Sequence, residues 1–207
     1  MMRKYCLLGI LIWGLSGCAT LHTADRSACA QNHRLPSFFA QGEQLAAFRL
    51  QAQAKQYGLE GILQIKKQAE ETYEVTLFSN VGAYRLLQGT LTREGMQYSY
   101  LAPGADQSAV QVRVERFLTL LLIPSLSQGS CKVKKESVQI SYKHPIKKYE
   151  YALGASYPQQ AIGPKPFGKT YLTFDEYQPY GQNQLPHTLW YRDGKIYVSL
   201  TLLRLKK

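Results

Sequence analysis

From residue 48 onward, apolar and polar side chains alternate with a period of two, the pattern of strands that bury one face and wet the other. Phe48, Leu50, Ala52 and Ala54 alternate with Arg49, Gln51, Gln53 and Lys55. Leu59, Gly61, Leu63 and Ile65 alternate with Glu60, Gln64 and Lys66, and Tyr73, Val75 and Leu77 with Glu74 and Thr76. Residues 84–92 and 96–100 flank Arg93-Glu94-Gly95, which predicts a tight hairpin. Val110, Val112 and Val114 continue the alternation and predict a further strand; Val138, Ile140 and Tyr142, then Tyr149, Tyr151 and Leu153, predict two more. Residues 171–174 open a last group, in which 188–191 turn through Arg192-Asp193-Gly194-Lys195 into Ile196, Val198, Leu200 and Leu202. Asp-Gly between alternating strands is the strongest hairpin signal in the chain. Residues 36–47 are read as accommodating a short helix, and 155–168, rich in Pro and Gly, as a long loop. About ten strands in one domain make a sheet long enough to curl or close. A curled sheet whose concave face carries Leu, Val, Phe and Tyr encloses a space suited to acyl chains.

Two apolar runs break the alternation. Residues 5–13 follow Arg3 and Lys4 and are too short for a bilayer-spanning helix, which needs about 20 residues, so 1–17 reads as a removed secretory signal. It ends in Leu15-Ser16-Gly17-Cys18, which resembles the lipobox of bacterial lipoprotein signals. That resemblance implies a diacylglyceryl group on Cys18, now the first residue, and stable anchoring by more than one acyl chain. The competing reading is an ordinary secretory signal with a cysteine in its apolar stretch, as at Cys6. In such lipoproteins an Asp after the cysteine retains the protein at the inner membrane; Ala19 here implies the outer membrane, facing the periplasm. The second run, Phe117, Leu118, Thr119, Leu120, Leu121, Leu122 and Ile123, ends at Pro124 and is the most hydrophobic part of the mature chain. Periodicity does not separate helix from strand in so short a run. It is either a buried element plugging the open side of the sheet or a movable, membrane-touching lid.

About 190 residues remain after cleavage, enough for one domain with a sizeable core. Residues 18–37, small, polar and without periodicity, read as a lipidated N-terminus and flexible tether; His22 and His33 are taken as solvated linker residues. Residues 38–207 form the single β-rich domain. The chain carries 25 Lys plus Arg against 14 Asp plus Glu, a formal charge of +11, and removing Arg3 and Lys4 leaves +9. An exported, tethered chain meets no nucleic acid, so its acidic partners are lipid head groups or an acidic periplasmic carrier. Cys29 and Cys131 remain besides Cys6 and Cys18; a disulfide, which the periplasm favours, and two separate buried thiols both fit.

Three stretches resemble the lipoprotein localisation factors, the LolA/LolB family. Tyr73-Glu74-Val75-Thr76-Leu77-Phe78-Ser79-Asn80-Val81-Gly82 is similar to the receptor's strand and following loop, residues 169–177 to a late aromatic-rich strand, and Gln184-Leu185-Pro186 leading to Asp193-Gly194 to the approach to its last strands. The resemblance implies a mainly β fold, a curved antiparallel half-barrel of about ten strands capped by short helices, with an apolar cavity for the acyl chains of a lipid or lipoprotein. It gives Val81, with Phe78 beside it, the place of an exposed loop leucine that passes cargo into the membrane. Valine is smaller, Asn80 replaces a proline, and Trp190 is the sole tryptophan after the signal, so the match is to a divergent member serving another lipid or a specialised export pathway. The expected ligand-binding residues are Phe78, Val81, Leu118, Leu120, Leu121 and Ile123.

Catalytic chemistry is not signalled: no nucleophile elbow, zinc motif, Cys-x-x-Cys or phosphate loop occurs, and no cofactor or metal is expected. His144 and His187 are read as exposed turn histidines, while a Ser/His/Asp site assembled from distant strands stays open as the minor reading. Lys132, Lys134, Lys135, Lys143, Lys147 and Lys148 either bind lipid phosphates or an acidic carrier, or protect a solvated edge strand. The leading expectation is an outer-membrane lipoprotein that binds acyl chains and hands them to the membrane without catalysis. The alternative is a structural lipoprotein of an envelope or secretion complex whose half-barrel is filled by its own side chains.

Overall fold

The computed structural model describes residues 28–30, 33–55, 57–81, 84–124, 129–143 and 145–207. The signal 1–17, Cys18, His22, Gly82 and His144 lie outside the described residues. The strands are β1 (Leu45–Ala54), β2 (Tyr57–Ala69), β3 (Thr72–Ser79), β4 (Arg85–Thr92) and β5 (Gly95–Leu101), then helix α1 (Ser108–Leu122). After it come β6 (Ser130–Val133), β7 (Ser137–Tyr142), β8 (Lys147–Ala152), β9 (Gln160–Pro164), β10 (Lys169–Tyr180), β11 (Asn183–Asp193) and β12 (Ile196–Lys206). All lie in one open antiparallel sheet of 12 strands, ordered β5-β4-β3-β2-β1-β12-β11-β10-β9-β8-β7-β6. Nearly every pair of spatial neighbours is consecutive in sequence. The exception is β1 beside β12, which joins two meanders. The chain leaves one edge at β5 and re-enters at the opposite edge, β6, so α1 is the bridge between the two edges.

The alternation read in the sequence appears as one buried face. Phe48 and Leu50 on β1, Leu63 and Ile65 on β2, Tyr73 and Val75 on β3, Leu189 and Tyr191 on β11, and Leu200 on β12 all point inward. Full burial of side chains of this size contributes about 1.5–3 kcal/mol each. The two hairpins stand as predicted, with Thr92 opposite Gly95 and Asp193 opposite Ile196. Gly95 and Gly194 hold φ of 140° and 65°, which a side chain rarely adopts.

Three expectations about the elements are corrected. Val110, Val112 and Val114 belong to a helix, because Val114, Phe117, Leu118, Leu121 and Leu122 recur at spacings of three and four and face the core together. The apolar run is therefore the last two turns of α1. Residues 38–42 form a turn rather than a helix, with Gly42 at φ 83° and the Gln41 N–H donating to Glu43 Oε2 at 2.7 Å; Phe38 and Phe39 both enter the core from it. The region 155–168 is not all loop, since β9 pairs there with both β8 and β10. The sheet, a mainly β half-barrel as expected, has 12 strands, β6 and β9 being the ones without a clear alternation of their own.

Cys29 and Cys131 are bonded, with their Cα atoms 5.9 Å apart, and this fastens the helical residues 28–30 to β6. Nearby, the Arg34 N–H donates to Ser156 O at 2.8 Å. His33 is not a solvated linker residue: its ring packs 4.5 Å from that of Tyr151, and its Nε2 lies 3.0 Å from Ala28 O. His187 is half-buried within β11, not in a turn, because its strand is longer at its start than the alternation indicated.

Candidate functional site

Helix α1 packs its apolar face, Phe117, Leu118, Leu120, Leu121 and Leu122, into the core against the sheet. Its own sequence does little to fix its ends. The first turn holds no acidic residue, the last holds no basic one, and Gln107 at the N-cap makes no side-chain hydrogen bond. The helix ends at Leu122, ahead of Pro124; the Ile123 N–H donates to Thr119 O at 3.3 Å, and the proline has no N–H to give to Leu120 O.

Lys147, at the start of β8, supplies what is missing. Its Nζ donates to Thr119 O at 2.6 Å, to Leu120 O at 3.4 Å and to Ile123 O. The side chain is 1% exposed. Burial, with repulsion from the Arg93 charge, pushes its pKa down to about 7. The reading of Lys147 as a solvated or lipid-facing cation is thus overturned. Its place was foreshadowed by the inward alternation of Tyr149 and Tyr151, which puts Lys147 on the same face two residues earlier. A second cation holds the segment just beyond the helix. Arg93 Nη2 donates to Pro124 O at 3.2 Å, while Nε and Nη2 form a fork with the Glu71 carboxylate at 2.7 and 2.5 Å. The Arg93 hydrogen bond outweighs burial and holds the Glu71 carboxyl below its usual range.

The structure brings four of the expected site residues together and leaves two apart. Leu118, Leu120, Leu121 and Ile123 sit in the buried cluster at the end of α1. Phe78 is half-buried on β3 opposite Ile62 and Arg85, and Val81 stands 78% exposed just beyond the strand, its N–H donating to Ser79 Oγ at 3.2 Å. Neither belongs to the core cluster. Between the end of α1 and residues 35–39 lies a space of about 100 Å³, lined by Phe38, Phe39, Tyr73, Leu121, Ile123 and Tyr149. A larger cleft of about 380 Å³ opens on the helix flank against β9 and the turn before β8. Asp193, read from the sequence only as a turn residue, stands next to that cleft and accepts from Arg116 Nη1 at 2.9 Å and from Lys165 Nζ at 2.8 Å. Burial works to raise its pKa, but these bonds and charges prevail and lower it. Among the described residues no cluster of His, Cys, Asp and Glu has the make-up of a metal site, and no helix is long and apolar enough to cross a membrane.

No protein-family model and no curated protein matches this sequence. Solved structures do. A LolA superfamily protein from Nitrosomonas europaea superposes with a TM-score of 0.54 at 8% identity, covering 89% of this chain and 92% of the other. A DUF1329 family protein from Desulfovibrio piger gives 0.47 at 6% identity, over 80% and 86% of the two chains. A putative outer membrane lipoprotein-sorting protein domain from Vibrio parahaemolyticus gives 0.45 at 10% identity, over 80% and 85%. The open antiparallel half-barrel bridged by α1 is thus similar in fold to the LolA superfamily protein, at 8% sequence identity.

Proposed function

We propose that this chain is an outer-membrane lipoprotein that takes up acyl chains of a lipid or lipoprotein between α1 and the sheet and passes them to the membrane, without covalent catalysis. The observation that carries the proposal is the way α1 closes the sheet. Its inward face is apolar, and its polar ties to the sheet are few: Lys147 and Arg93 at its C-terminal end, Arg116 to Asp193 in its middle and the Tyr98 hydroxyl to Gln111 O near its start. Release of these ties would leave Leu118, Leu121 and the tyrosines of β8 as a surface for acyl chains. In this reading Cys18 carries the anchor at the head of the 18–37 tether segment, which the Cys29–Cys131 bond fastens to the sheet, and Val81 with Phe78 forms the loop that touches the bilayer. An acidic periplasmic carrier is the delivering partner for a chain of this positive charge.

A second reading, a structural or assembly lipoprotein, draws on the filled interior. Phe38, Phe48, Leu118 and Ile123 are almost fully buried, and about 100 Å³ stays open beneath the helix end. An acyl-mimicking dye separates the two, applied to the periplasmically expressed soluble form carrying Cys18→Ala. The carrier reading expects saturable binding, weakened about tenfold or more by Leu121→Glu, together with a co-purifying lipid in native mass spectrometry. Val81→Asp controls for folding: it should leave dye binding intact and slow transfer to vesicles. Dye uptake no greater than that of a small closed β-domain would favour the assembly reading.

A further inference from the structure

The flank cleft of about 380 Å³ has a floor made by core groups, Leu120 and Lys147, and a rim of apolar side chains that the core does not bury. On α1 it is lined by Val112 and Leu120, and across from them by Pro145, Ile146, Gly163 and Pro164. Val112 and Ile146 are 49% and 61% exposed, so apolar surface here faces water. A side chain at position 163 would meet the Leu120 methyls at 3.0 and 3.2 Å, so glycine keeps β9 close to the helix. The volume falls within the range of small-ligand sites.

Both walls turn basic at one end. On α1, Arg113 and Arg116 stand beside Val112, and Lys165 follows Pro164 on the other side. Arg113 and Lys165, with Lys55 and Lys195, line a second pocket of about 370 Å³ around Asp193, and Arg116, a wall of the first cleft, joins the two through its 2.9 Å bond to that carboxylate. The Asp193 carboxylate is already engaged, one oxygen by Arg116 and the other by Lys165, and so it orients those two cations. Lys55, Arg113 and Lys195 have no carboxylate partner among the described residues. Glu115, the acid of the apolar cleft, lies beside Gly95 of β5. One end of the groove thus offers a chain-sized apolar slot, and the other an excess of cations held apart by a single acid.

We infer that this groove takes a long-chain amphiphile with an anionic head, the chain along Val112, Leu120 and Ile146 and the head on Arg113, Lys165, Lys195 and Lys55. For the chain this rests on the acyl-binding reading above. For the head it rests on the charges alone.

The test uses the soluble Cys18→Ala protein and three probes at low salt: lysophosphatidylglycerol and lysophosphatidylcholine of equal chain length, both below their micellar concentrations, and glycerol phosphate. Calorimetry should find the anionic lysolipid about tenfold tighter than the zwitterionic one, with the preference fading as salt screens it. The exposed-site variant Lys55→Gln/Arg113→Gln/Lys195→Gln should bring the two lysolipids within about threefold, and Ile146→Gln should weaken both. Equal affinity in the unmodified groove overturns the anionic head while leaving acyl binding intact, and failure of both lysolipids overturns the acyl reading as well. Glycerol phosphate binding as tightly as lysophosphatidylglycerol overturns the amphiphile in favour of a free-anion site. A preference untouched by the triple substitution overturns the location.

Discussion

At the scale of the residue, Lys147 ties the helix to the sheet and carries a pH signature. An unfolded lysine keeps its proton to about 10.4, whereas the buried one gives it up near 7. Below pH 7 the group is protonated in both states and adds no slope. Between about 7 and 10 the unfolded chain binds more protons than the native protein, so stability rises with pH. Above about 10 buried tyrosines reverse the trend. Burial raises the phenols of Tyr149, Tyr151 and Tyr177, so the unfolded chain loses those protons first. Urea midpoints followed from pH 6 to 11 should climb and then fall. The climb should vanish in Lys147→Met, and a flat profile from 7 to 10 in the unmodified protein would contradict the burial. At pH 7 that substitution should cost about 1–3 kcal/mol, since the helix-end carbonyls lose their donor, with hydrogen exchange accelerating first in the last turn of α1.

At the scale of the element, two glycines of β2 separate what a strand tolerates from what its neighbours forbid. A side chain at Gly61 would press on the Phe78 carbonyl oxygen of β3, whereas one at Gly58 meets nothing within 4 Å. Gly61→Ala should therefore destabilise by about 1–3 kcal/mol through overpacking against fixed backbone. Gly58→Ala should stay within about 0.5 kcal/mol. Paired denaturation curves check the contrast, and similar losses at both positions would contradict the β2–β3 register. The alternation of Leu59, Gly61, Leu63 and Ile65 identified the inward face correctly from sequence. The tight approach at Gly61 was not legible, because the atom it avoids belongs to another strand. Helix α1 was misread for a related reason: Val110, Val112 and Val114 have the period of a strand, and the helix leaves Val112 exposed because the sheet face that selects the other stripe, Val114, Phe117, Leu118 and Leu121, lies far away in the chain.

At the scale of the whole molecule, the sheet is two meanders joined at β1 and β12, with its free edges β5 and β6 connected through α1. The Cys29–Cys131 bond, 102 residues apart in sequence, ties the N-terminal segment to the β6 edge. On the loop-entropy estimate such a closure contributes up to about 4–5 kcal/mol. The Cys29→Ser/Cys131→Ser variant should unfold at a clearly lower temperature in calorimetry, and an unchanged midpoint would mean that the bond leaves the unfolded ensemble unconstrained. The sequence by itself determined the antiparallel strands, their inward faces and the turns at Gly95 and Gly194, since each rests on residues adjacent in the chain: a period of two, or a φ that only glycine adopts readily. Only the tertiary structure decided the helical state of α1, the strand at β9, the cysteine pairing and the burial of Lys147. Each of those depends on partners distant in sequence: the core face for α1, β8 and β10 for β9, Cys131 for Cys29, and the carbonyls of Thr119, Leu120 and Ile123 for Lys147.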